Sequence, residues 1–198
     1  THSNALGHPD ICVAVLDGPV DLSHPCFQGA DLTLLPTLVP EGTRAEGSMS
    51  GHGTHVAGTI ACLSNNNRDV AGVTWQCRLM PVKVLTRLVK ISNPNDVRGI
   101  GSSADIAAGI RWAVDNGARV LNLSLGSHTD AQVERDAIAY AIARGAVVCA
   151  AMGNGGLNAP ISYPAAYPGV VAVGAINVSN QRAGFSQVGA HIDVVAPG

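Results

Sequence analysis

The chain has 198 residues, of which 46% are hydrophobic and only 13% charged, with a formal net charge of -2. This balance excludes a disordered segment, because there is enough apolar surface to offset chain entropy. It offers no basic surface for nucleic acid, and no apolar run is long enough to make a membrane-spanning helix.

Taken in chain order, the pattern alternates strands and helices. The run Ile11-Cys12-Val13-Ala14-Val15-Leu16 predicts a buried strand over 11–16, leading into Asp17-Gly18-Pro19. A small-residue helix is expected over 53–63, directly after Gly51-His52-Gly53, and a second strand over 79–85. The stretch between Leu85 and Gly101, with Asn93-Pro94-Asn95 inside it, reads as a polar surface insertion or a flap. A helix over 103–116 is amphipathic through Asp105–Val114 and stops at Asn116-Gly117. A strand over 119–124 follows, then a helix over 130–144 with Asp130 as its N-cap and Gly145 as its end. Two more strands are expected over 146–151 and 170–176. Such alternation predicts an α/β fold, a three-layer parallel sheet with helices on both faces. No repeat or linker divides it, so 1–198 reads as a single domain.

Three places carry chemistry. His52 stands between two glycines ahead of a helix, an arrangement that fixes the ring while letting a substrate approach it. That suits a general base, for which geometry comes first. Asp17 ends a buried strand, where a parallel sheet collects its site residues, although an ordinary turn aspartate would look the same. Asn154, in Met152-Gly153-Asn154-Gly155-Gly156, follows the strand over 146–151. Its amide suits an oxyanion donor, and an ordinary Asn-Gly turn is the alternative.

Together these residues resemble the subtilisin-like serine peptidases, the subtilase family. Supporting segments are Val82-Lys83-Val84-Leu85, Asn122-Leu123-Ser124-Leu125-Gly126, Tyr163-Pro164-Ala165-Ala166-Tyr167-Pro168 and Asn180–Ser186, leading to Asp193–Gly198. The resemblance implies a three-layer subtilisin-like fold and a triad in the order Asp, His, Ser. In it Asp17 would be the acid, His52 the base and Asn154 the oxyanion donor. It further implies that peptide substrate lies along Ser124, Leu125 and Gly126. Ala151 and Gly153 would wall the first specificity pocket, with Ser162 near its floor. Small side chains there predict a roomy, uncharged pocket for large apolar residues.

The family's nucleophile lies in a Gly-Thr-Ser-Met-Ala motif, and no Gly-Thr-Ser occurs in these 198 residues. By resemblance it belongs a short way past Gly198, and the nucleophile helix is therefore absent. Ser124 matches a cleft position and Ser186 a segment without a catalytic role. Ten residues before the first strand is also fewer than the family usually carries, so the domain reads as trimmed at both ends. The expected activity is serine endopeptidase. The alternatives are an inactive peptide-binding pseudo-peptidase, or a half that needs a serine-bearing partner chain. The expected partners are a peptide or protein substrate and a prosegment or serine-bearing C-terminal segment. No nucleic acid or membrane is among them. The resemblance slightly favours secretion.

The N-terminal third, Asp17–Phe27, is similar to the peptidases that mature cyanobactin precursors. Macrocyclase members of that group carry a long insertion between Asp and His. Here the two are only 35 positions apart, which favours hydrolysis.

Other features carry weaker readings. Cys12 and Cys149 are expected in the core, and Cys26, Cys62 and Cys77 are candidates for one disulfide. His52 and His55 lack a third ligand for a metal, and His55 is expected to pack beneath its helix. Asn65–Asp69 resembles the calcium loop of subtilisins, but Cys26 replaces a usual carboxylate ligand, so the calcium site is expected to be lost. Gly99–Ala104 fits a dinucleotide-binding spacing but is expected to follow a loop, not a strand. Asn122 and Asn177 begin formal glycosylation sequons, the first of them in a buried strand.

Overall fold

The computed structural model describes residues 7–30, 48–65, 67, 70–90 and 93–198, with the backbone alone at 48–50, 87–90 and 93–98. Among them the elements run β1 (Cys12–Asp17), a 3-10 turn (Pro25–Phe27), α1 (Ser48–Ala61), β2 (Arg78–Lys83), β3 (Thr86–Lys90), β4 (Asn93–Ile100), α2 (Ser103–Asp115), β5 (Val120–Leu123), α3 (Gln132–Ala143), β6 (Val147–Ala151), β7 (Val171–Ile176) and β8 (Val194–Pro197).

All six residues of β1 are buried, as a strand covered on both faces requires. It lies inside a six-stranded parallel sheet of order β2-β1-β5-β6-β7-β8. Side chains alternate between its faces. On one face Ala14, Leu16, Leu121, Leu123, Val148 and Ala150 meet Ile110 and Ala113 of α2 and Ile138 and Ala141 of α3. On the other, Val13, Val15 and Leu79 pack beneath Ala57 and Ala61 of α1. There α1 packs on β1 and β2. Farther along this face, Asn122, Cys149, Ala151 and Val173 are only half-buried. An apolar hollow of about 420 Å³ opens among Val13, Ile60, Val120 and Cys149.

The fold class expected from the alternation is the one observed, and the structure corrects several details. Helix α1 begins at Ser48, so His52 lies within it instead of ahead of it. Asp130 is not the cap of α3; Ala131 is, without a side-chain bond. Asp130 pairs instead with Arg135. The Tyr167 hydroxyl accepts from the Ala131 amide at 2.9 Å and donates to the Ala131 carbonyl at 3.1 Å. The stretch after Leu85 is an antiparallel ribbon, β3 with β4. Gly99–Ala104 therefore begins within a strand, Gly99 and Ile100 ending β4, but that strand belongs to the ribbon and not to the parallel sheet that a dinucleotide site needs. A Cβ at Gly101 would stand 2.3 Å from the Val84 carbonyl oxygen, so this glycine serves close packing.

His55 is exposed, not packed beneath its helix. It borders a hollow shared with Asp21, His24, Cys26 and Cys62. All five cysteines are thiols, so the candidate disulfide among Cys26, Cys62 and Cys77 is not formed. Cys12 is fully buried, whereas Cys149 is only partly so.

Candidate active site

Strands β1, β5 and β6 are neighbours and parallel, so their carboxyl ends share one edge of the sheet. Asp17 ends β1, Ser124–Gly126 leaves β5, and Asn154 lies three residues past β6. Sites in parallel sheets form at this edge because the chain must turn there and present loop side chains.

Asp17 is wholly buried. Its Oδ1 accepts from the Gly18 amide at 2.6 Å and lies 2.8 Å from His52 Nδ1. Its Oδ2 is buried with no hydrogen-bond partner among the described residues. The His52 side chain is half exposed. The hydrogen bond from Asp17 raises its pKa above the ordinary histidine value; partial burial opposes this and the Asp17 charge adds to it. Gly53 explains the close approach. A Cβ there would lie 2.7 Å from both the Gly18 and Pro19 carbonyl oxygens, so only glycine lets α1 rest on the chain leaving β1. A second tie runs from the Asp21 amide to the Thr54 hydroxyl at 2.8 Å.

Two hollows meet at Ser124. The first, about 460 Å³, lies between Gly99–Gly101 and Ser124–Ser127, with His52 and Tyr163 on its walls. The inserted ribbon thus borders the cleft through the end of β4. The second, about 390 Å³, is lined by Ser124, Ala151, Met152, Gly153 and Asn154, and none of its lining side chains is charged. Leu125 and Gly126 face the first hollow, not the second. Ser162 lines neither; it is buried behind Gly126, where a Cβ would come within 2.7 Å of its hydroxyl oxygen. Gln187 steadies the Asn154 loop: its amide donates to the Gly153 carbonyl at 3.1 Å and its Nε2 donates to the Pro160 carbonyl at 2.8 Å. Ser186 is buried and occupied with structure, its hydroxyl accepting from the Ala175 amide at 3.0 Å.

Sequence reasoning missed Glu134. It lines the first hollow, is only 4% exposed, and shares a hydrogen bond with the Ser103 side chain. Burial raises its pKa, and the Ser103 bond partly offsets this. The signal was present: Glu134, Ala137, Ile138 and Ala141 form the buried stripe of α3, with a carboxyl at its head.

Cys26 does not suit a calcium ion. It is a buried thiol, and a hard cation is held by oxygens. Of the loop resembling the calcium site, Asn66, Arg68 and Asp69 lie outside the described residues. Among the described residues no group of three or more His, Cys, Asp or Glu could hold a metal ion.

Comparison with known proteins identifies the family. The chain is 42% identical over 202 residues to subtilisin NAT of Bacillus subtilis subsp. natto, covering 100% of this chain and 49% of that protein. It is 43% identical over 199 residues to subtilisin Savinase of Lederbergia lenta, covering 100% of this chain and 67% of the relative. The chain thus spans about half the length of the first of these relatives. Among solved structures, a mutant of the protease domain of PatA superposes with a TM-score of 0.82 at 38% identity, over 97% of this chain and 68% of that one. The prenylagaramide maturation protease PagA superposes with a TM-score of 0.81 at 37% identity, over 98% and 64% of the two chains. The subtilase family model matches residues 8–198, and with a buried aspartate bonded to a histidine at the sheet's carboxyl edge, the chain belongs to the subtilase family (peptidase S8).

Proposed function

We propose that this chain supplies the acid, the base and the oxyanion donor of a serine endopeptidase, and that the nucleophilic serine comes from a residue outside these 198. The Asp17–His52 hydrogen bond carries this reading, with Ser124 shared by the hollow that holds His52 and the one that holds Asn154. With Nδ1–H donated to Asp17, the lone pair of His52 Nε2 is free to take a proton from the serine hydroxyl as its oxygen attacks the peptide carbon. Asp17 then stabilises the imidazolium and keeps its orientation. The carbonyl oxygen becomes an oxyanion, to which the Asn154 amide donates. His52 returns the proton to the leaving amine, and water hydrolyses the acyl-enzyme by the same steps in reverse order.

Substrate would add as a strand along Ser124, Leu125 and Gly126. The uncharged hollow beside Ala151 and Gly153 would take a large apolar side chain at the cut site. The half-buried strip of Asn122, Cys149, Ala151 and Val173 is where a serine-bearing segment would seat. A peptide or protein is the substrate class, and the resemblance to subtilisins favours a secreted protein.

The test treats the natural protein that carries this sequence with a fluorophosphonate and measures its intact mass. Gain of one probe mass, lost in His52→Ala, is expected. An unlabelled protein that still binds peptides would overturn the proposal in favour of a pseudo-peptidase.

A further inference from the structure

We propose that Glu134 is a charge selector in the substrate cleft, giving it a preference for lysine or arginine at a position upstream of the scissile bond. This rests on the reading of the cleft as a peptide groove. It follows from where the carboxyl lies. Glu134 heads the buried stripe of α3, a place where the pattern calls for an apolar residue. Its fold neighbours Ala137, Ile138 and Ala141 are buried aliphatic groups that give a carboxyl nothing to bond. Instead Glu134 reaches the wall of the 460 Å³ hollow that also holds His52, Ser124 and Gly126. A peptide lying along Ser124–Gly126 on its way to His52 must place one of its upstream side chains over this wall.

A buried carboxyl costs stability unless it is paired. Here it has the Ser103 hydroxyl, one neutral partner for a group that accepts at two oxygens. The described lining of the hollow contains no Lys or Arg side chain. An ammonium or guanidinium entering from the groove would supply a counter-charge to a carboxyl that is itself almost wholly buried, where charge pairs are stronger than in bulk water. An aliphatic side chain would cover the carboxyl without pairing it, and an acidic one would meet like charge. The hollow, about 460 Å³, has room for a long side chain. Burial raises the pKa of this carboxyl, and an arriving cation would favour its ionised form.

Binding tests this apart from cleavage. The natural full-length protein is titrated, by fluorescence anisotropy at pH 8, with labelled product peptides that end in a free carboxylate. These differ only by Lys, Leu or Glu at each of the three residues before the last. At one position Lys is expected to bind about tenfold or more tightly than Leu, which is about 1.4 kcal/mol, with Glu weakest. In Glu134→Gln the Lys advantage should fall to near unity. In Ser103→Ala, which leaves the carboxyl in place, it should persist. No Lys preference at any position in the wild type overturns the inference, and so does a preference that survives in Glu134→Gln. The wild-type comparison alone decides if that variant does not fold. Lys-selective binding without any cleavage would sink the peptidase reading and leave this one standing. Cleavage with no Lys preference would do the reverse.

Discussion

His52 Nδ1 lies 2.8 Å from Oδ1 of Asp17, joining a half-exposed ring to a wholly buried carboxylate. The buried partner is held by the sheet and by the Gly18 amide, so it does not swing. The exposed partner is aimed by the bond. Orientation therefore passes from the core to the cleft, and the ring's second nitrogen is what the cleft receives.

Replacing the carboxylate while keeping its shape should isolate that role. In the natural full-length protein, Asp17→Asn is expected to lower kcat by about 10⁴-fold, because the amide favours the wrong tautomer. Far-ultraviolet circular dichroism should be unchanged. Steady-state kinetics on a chromogenic peptide would check this, and a loss below tenfold would contradict the assigned role.

The raised pKa of His52 sets a pH dependence whose sign can be worked out. The folded value lies above the unfolded one near 6.5, so the protonated pair stabilises the fold. That contribution is fully present below about pH 6.5 and is lost as pH rises through the higher folded value. Catalysis runs the other way, because the base must be neutral. The acid limb of kcat/KM is expected above pH 6.5, and it should move down in Asp17→Asn. Histidine ring chemical shifts followed by NMR across pH 5 to 9 would give both values directly.

Asn154 offers a separate measure. It lies in the uncharged hollow with Gly153, on a loop steadied by Gln187. Asn154→Leu should reduce kcat by about 10²–10³-fold with KM nearly unchanged, since an oxyanion donor acts only as charge develops. An equal change in KM and none in kcat would make it a binding residue instead.

The two glycines flanking His52 should respond in opposite ways. A methyl at Gly53 would meet two carbonyl oxygens at 2.7 Å, so Gly53→Ala should destabilise by about 1–3 kcal/mol and loosen the Asp17–His52 bond. A methyl at Gly51 meets nothing within 4 Å, and the position is helical, so Gly51→Ala should stabilise by about 0.5–1 kcal/mol. Urea denaturation of each variant, with activity measured alongside, checks both.

Much of the fold was legible because apolar runs and helical patterns are local. The strands β1, β2, β5, β6 and β7 and the helices α2 and α3 fall within a few residues of their expected bounds. The short β8 was not foreseen. Its four residues are a strand only because β7 offers them a parallel edge. The β3–β4 ribbon was also missed, since its polar sequence lacks alternation and its pairing is what makes it a strand pair. Asp130 had the composition of a cap, yet Ala131 is held by the hydroxyl of Tyr167, 36 residues beyond Ala131.

The sequence by itself determined which chemistries are present: a carboxylate after a buried strand, an imidazole between glycines, an amide on a glycine turn. Each is specified by its neighbours in the chain. Only the tertiary structure decided which groups meet. Asp17 and His52 are 35 residues apart and bond because Gly53 lets α1 rest on the turn after β1. Glu134 lines the cleft because α3 packs beside α2, which brings its buried stripe to Ser103. Patterns along a chain fix which face of a helix is inward. What that face meets depends on the packing of distant elements, which no local pattern encodes.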